Sequence, residues 1–144
     1  MSSRTHRLHA VVLSAVAAAL AVCAAPVPLG AHHAFSAEFD ATKPVTLQGV
    51  VTKFEMINPH SWIYIDVKDD DGKVTNWAVE LGAPNALFRR GFRKDTITTG
   101  AELMINGYLA KNGKAIANGR SVRFKDGKEL FVDSPGPGSP ADAK

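Results

Sequence analysis

Five histidines stand at positions 6, 9, 32, 33 and 60, and none follows in the 144-residue chain. His32 and His33 lie directly behind a segment that reads as a cleavable leader, so a cut after Ala31 makes His32 the first residue of the product. A terminal histidine can offer its α-amine and its own imidazole to one metal ion as a compact chelate. An imidazole from elsewhere, here His60, completes three nitrogens in a T, the arrangement called a histidine brace, and such borderline ligands suit copper. Two other chelates stay open. His33 in second position can bind Cu(II) through the amine, its own amide and its ring. A cut after Gly30 would leave Ala31 first and place His33 third, again a strong Cu(II) geometry. Met56, four residues before His60, is a candidate soft ligand that would favour Cu(I) and a carrier role. Core filling is the favoured reading of both Met56 and Met104. The plain alternatives are a histidine pair that the peptidase merely tolerates and a His60 ring that caps the turn at Pro59.

The leader itself is read from three features. Arg4 and Arg7 form a basic head, residues 10–25 run uncharged and rich in Ala, Val and Leu, and Pro26 to Ala31 supply small and turn-forming residues. Sixteen such residues are too few to span a hydrocarbon core comfortably, so a secretory signal over residues 1–31 is expected, not an anchor. Val22 stands where a lipoprotein signal needs a small residue before Cys23, which disfavours a lipid anchor there. The expected location is periplasmic or secreted. Removing the leader takes Arg4, Arg7 and the single Cys with it. The formal charge of +3 then shrinks toward neutrality, and no electrostatic basis for nucleic-acid binding remains. No thiolate chemistry or disulfide is available to the product.

The elements that must position these histidines read as strands. A β-prone stretch over residues 45–56 is interrupted by Gly49, as at a bend or bulge, and is broken by Asn58-Pro59-His60. Residues 61–68 alternate, with Ile63, Ile65 and Val67 on one face and Trp62, Tyr64 and Asp66 on the other. The run Asp69-Asp70-Asp71-Gly72 is a solvated hairpin turn, since it lacks the ligand spacing of a calcium loop. Residues 74–81 form a third strand with Trp77, Val79 and Leu81 on one face. Pro84 and Gly91 bracket one short helix. Strands over 102–111, 115–124 and 129–132 follow, and residues 133–144 read as a disordered tail. The fold expected is mainly β: a small OB-like barrel of five or six strands with one short helix between strands three and four, occupying residues 32–132. A small open sandwich is the alternative.

Several motifs in fixed order resemble a known family. They are His32-His33-Ala34-Phe35-Ser36-Ala37-Glu38-Phe39-Asp40, then Asn58-Pro59-His60-Ser61-Trp62, then Gly82-Ala83-Pro84-Asn85-Ala86-Leu87, and Gly119-Arg120-Ser121-Val122. Together, from His32 to about Val132, they look like the small exported bacterial proteins grouped as domain of unknown function 6152. That resemblance carries no activity, so function has to come from the residues.

Trp62 and Tyr64 form a possible ligand face, because exposed aromatics on an OB-like barrel stack sugars or bases. Packing beneath the N-terminal segment, with Phe35 and Phe39 as partners, is the other use for these rings. Arg89, Arg90, Arg93 and Lys94 could meet an acidic partner or lipid headgroups, or simply complement the end of the helix dipole. Glu80 beside Trp77 could be a buried acid, but a single carboxylate makes no catalytic pair. No nucleophile elbow, phosphate loop or zinc spacing is present. The sequence therefore points to a binding protein: a copper-binding or copper-carrying accessory protein, or a metal-free module for a protein, sugar or small ligand. An oxidative copper enzyme is a third option that so small a domain can hardly house.

Overall fold

The structure is a computed structural model and describes residues 35–133. The expected leader over residues 1–31, the candidate ligands His32 and His33, and the expected tail beyond Asp133 lie outside the described residues. A four-residue helix, α1 (Phe35–Glu38), opens directly into the long strand β1 (Phe39–Glu55). Then come β2 (Trp62–Lys68), β3 (Val74–Glu80), helix α2 (Pro84–Arg89), β4 (Glu102–Ala110), β5 (Ile116–Phe124) and β6 (Glu129–Phe131). The chain is mainly β, with six strands in one sheet in the order β3-β2-β1-β4-β5-β6. Neighbours in that order run antiparallel, and β3 additionally pairs with β5 in parallel through Ala78, Val79 and Glu80.

Two expectations change. Among the described residues there are two short helices, not one, and β1 begins six residues earlier than its β-prone stretch suggested. Both changes have one cause. Phe35 and Phe39 are buried against each other, with Phe35 packed edge-on to Tyr108 at 5.6 Å between ring centres. The Lys111 amide donates to the Glu38 carbonyl at 2.8 Å, and its ammonium to the Ser36 carbonyl at 2.6 Å. A segment outside the β-prone stretch is thus pulled onto the sheet by two aromatic anchors. Asp133 is held by Arg90 through its carboxylate at 2.7 Å and its carbonyl at 3.0 Å.

The core collects the inward residues of each strand, among them Val51, Ile63, Ile65, Val79, Leu103 and Val122. Leu87 of α2 and Phe92 just beyond it complete this core, and both are fully buried. Pro84 opens α2, and Gly91, at φ 92°, stops it in a conformation that L-residues avoid. Close strand approach explains two further glycines. A Cβ on Gly49 would collide with the carbonyl oxygen of Asp66, and one on Gly107 with that of Asn118. The β1–β2 register slips between Val51 and Lys53, and the β4–β5 register between Asn106 and Gly107. The bend expected at Gly49 is therefore a point where backbones nearly touch, next to a slip. Gly107→Ala is expected to destabilise the chain by about 2 kcal/mol, read as a lowered urea midpoint with an unchanged slope.

Candidate functional site

His60 follows the turn at Asn58-Pro59 and precedes β2, and its Nδ1 lies 2.8 Å from Oε1 of Glu80. Strand pairing brings the two together. Trp62 is the register partner of Glu80 across β2 and β3, and Glu80 is in turn opposite Asn118 of β5. Alternation sends Val79 and Leu81 into the core, so Glu80 points to the opposite face, the one that also carries Trp62. A carboxylate on that face would ordinarily be wet. Here Glu80 is only 7% exposed. The N-terminal segment lies across a cleft from it: Ala37, Glu38 and Phe39 line that cleft together with Trp62, Glu80, Lys111 and Ile116. That cleft encloses about 540 Å³.

Burial is the main reason that the Glu80 carboxyl is pushed up from its ordinary 4.5 to about 7. The like charge of Glu38 adds to the rise, and a hydrogen bond with the Asn118 side chain opposes it. An imidazole that donates Nδ1–H to a carboxylate carries its lone pair on Nε2, and this pairing also orients the ring. Carboxylate–histidine pairs of this kind hold metal-ligating histidines in many sites. Ser61, the next residue, is no nucleophile for this pair: it is fully buried, and its Oγ makes no hydrogen bond.

The other sequence-derived candidates separate. Trp62 lines the Glu80 cleft, while Tyr64, two residues along the same face, is half-buried with the Lys53 ammonium 5.5 Å from its ring centre. Neither ring is the stacking partner of Phe35, a role that Tyr108 fills. Met56 packs against the core and lines a different groove with Pro84 and Phe88. Glu80 is not beside Trp77 in any useful sense, because Trp77 packs on the core side of β3. Sequence reasoning missed the partnership of Glu80 with His60 and the roles of Glu38, Lys111 and Asn118 around it. The available signal was that Glu80 shares strand alternation with neither Val79 nor Leu81. Among the described residues, no three His, Cys, Asp or Glu side chains converge as a metal site.

A family model described as a family of unknown function (DUF6152) matches residues 18–119, most of the chain. The chain belongs to this family. The matched span takes in α1 to the middle of β5 and leaves β6 outside, so it ends earlier than the motif resemblance suggested. No curated protein and no solved structure matches the chain. Among the described residues, no helix is long and apolar enough to cross a membrane.

Proposed function

We propose that this DUF6152 chain is an exported copper-binding protein, a carrier or accessory factor, in which His60 and the processed N-terminus hold one ion. The fold in this reading is an OB-like barrel, supported by the ring of pairings β1-β2-β3-β5-β4-β1. Residues 1–31 are its secretory signal, and the product is periplasmic or secreted. His32 supplies amine and ring, His60 supplies a second ring, and His33 offers the competing chelates. Met56 stays outside the ligand set, since its contacts are with the core and with Phe88.

The observation that carries this reading is that the end of α1 and Glu80, whose carboxyl lies 2.8 Å from the His60 ring, line one cleft. Glu38 lies close enough for its charge to act on Glu80. Only two residues separate His32 from Phe35, whose ring is buried, a span of about 10 Å at full extension. The anchoring of Phe35 therefore keeps the processed terminus within a short reach of this face. When bound, copper would add a Lewis-acidic, redox-active centre. The protein's own part is to fix the His60 ring through Glu80 and to bury the supporting carboxyl.

The test is a Cu(II) titration of the processed chain against a variant with one Gly inserted before His32. The insertion separates the amine from the histidine ring and is expected to weaken binding at least about a hundredfold while leaving the fold intact. Equal affinities would overturn the reading, as would an intact mass showing that the exported product starts anywhere but His32. A second reading rests on the cleft itself. With Trp62, Phe39, Glu80 and Lys111 around about 540 Å³, it could take a small polar ligand without metal, and ligand binding unaffected by the Gly insertion would favour it.

A further inference from the structure

A second feature lies at α2 and owes nothing to His60. Met56, Pro84, Asn85, Phe88, Arg89, Arg93 and Lys94 line an open groove of about 640 Å³. Its floor is apolar and its rim cationic. Phe88 is 55% exposed, and Ile57, the neighbour of Met56, is 50% exposed. Both are large apolar side chains left in water by a domain that buries Leu87 and Phe92 completely on either side of Phe88. The short helix thus has an inward face that closes the core and an outward face that does not behave like a solvated surface.

The cations are arranged differently from one another. Arg90 is spent on Asp133, which it binds at 2.7 Å. Arg93 is fixed in place: its Nη1 donates to the carbonyls of Phe92 at 2.7 Å and Phe88 at 3.2 Å, and its guanidinium carbon sits 3.8 Å from the centre of the Phe88 ring. Arg89 and Lys94 form no ion pair among the described residues. Around them Asp95 is the adjacent acid in the chain, so the rim is locally positive although the domain as a whole is close to neutral.

We infer that this groove is a docking surface for an anionic phospholipid bilayer. Phe88 and Ile57 enter the headgroup–acyl boundary, and Arg89, Arg93 and Lys94 meet the phosphates. Charge complementarity selects the occupant. Guanidinium groups match phosphate oxygens with paired donors, and a cation laid over a ring gives the mixed apolar and polar character favoured at the membrane–water boundary. A positive rim around exposed apolar side chains is also how a peripheral protein combines two weak membrane signals into a stable one.

The experiment uses vesicles of phosphatidylglycerol and phosphatidylcholine in equal parts, with pure phosphatidylcholine as the neutral comparison. The double variant Arg89→Gln/Lys94→Gln should bind the anionic vesicles at least tenfold more weakly than the unaltered chain, and Phe88→Ser should show a similar loss. Lys114→Gln/Lys125→Gln removes the same charge elsewhere and should change binding less than twofold. A local readout guards against contributions from other apolar segments. In Phe88→Trp, the emission added over that of Trp62 and Trp77 in the unaltered chain should be quenched by bromine-labelled acyl chains in the anionic vesicles and not in the neutral ones. Equal binding by all charge variants, or an unquenched Trp at position 88, overturns the inference. Binding of soluble poly-glutamate through the same residues, with no vesicle binding, would reassign the groove to an acidic protein partner and overturn it as well.

Discussion

Replacing His60 with Ala is expected to weaken Cu(II) binding by the processed chain by more than about a hundredfold, because it removes one of three nitrogen donors. Glu80→Gln is expected to weaken it by only about tenfold, since the amide oxygen can still accept from Nδ1 without the charge. The ranking matters more than either value. A bare terminal chelate would be indifferent to both changes, so unaltered affinity in His60→Ala would remove His60 from the site. Fluorescence or calorimetric titration with a competing chelator of known strength reads the difference. The variants should be compared at one pH, because ligand nitrogens bind copper only when deprotonated.

The second large effect is on stability and is driven by pH. The Glu80 carboxyl has an ordinary value of 4.5 and is raised to about 7 in the fold, mainly by burial. Below 4.5 it is protonated in both the folded and unfolded chain, and its full contribution is present. As pH rises from 4.5 towards 7, the unfolded chain ionises first and the fold loses stability. The loss levels off above that range and amounts to at most about 3 kcal/mol. Urea unfolding of metal-free protein between pH 4.5 and 8 should show this decline, and Glu80→Gln should flatten it. Repeating the series in His60→Ala separates the carboxyl from the imidazole. A Gln variant with the same slope as the unaltered chain would mean that the buried carboxyl is not the titrating group.

Much of the sheet was legible because local signals agreed. Period-two alternation placed Ile63 and Ile65 inward, Pro84 and Gly91 bracketed the helix, and Gly72, Gly113 and Gly127 all adopt positive φ at the turns expected between strands. What was not legible depends on contacts across distance. Nothing local says that the outward-facing Glu80 is buried, because the residues that share its cleft, Ala37 to Phe39, are some forty positions away in sequence. The same long-range dependence hid the start of β1, which Phe39 opens as a buried anchor six residues before the β-prone stretch.

The site was half legible for a related reason. His60 stood out by type and by its place before a strand, yet its partner had to come from the end of β3, and cross-strand register is invisible in a single sequence. Glu80 was set aside as a lone carboxylate. In the fold it is no longer alone, with His60 at 2.8 Å and Glu38 and Asn118 acting on it. That pairing turns an isolated imidazole into an oriented one, which a three-nitrogen copper site requires.

The most direct measurement is pulsed electron paramagnetic resonance of the exported, processed protein loaded with one equivalent of Cu(II), counting the imidazole rings bound to the ion. Two rings, one from the terminal residue and one lost in His60→Ala, is the expected spectrum. A single ring that persists unchanged in His60→Ala would contradict a shared ion.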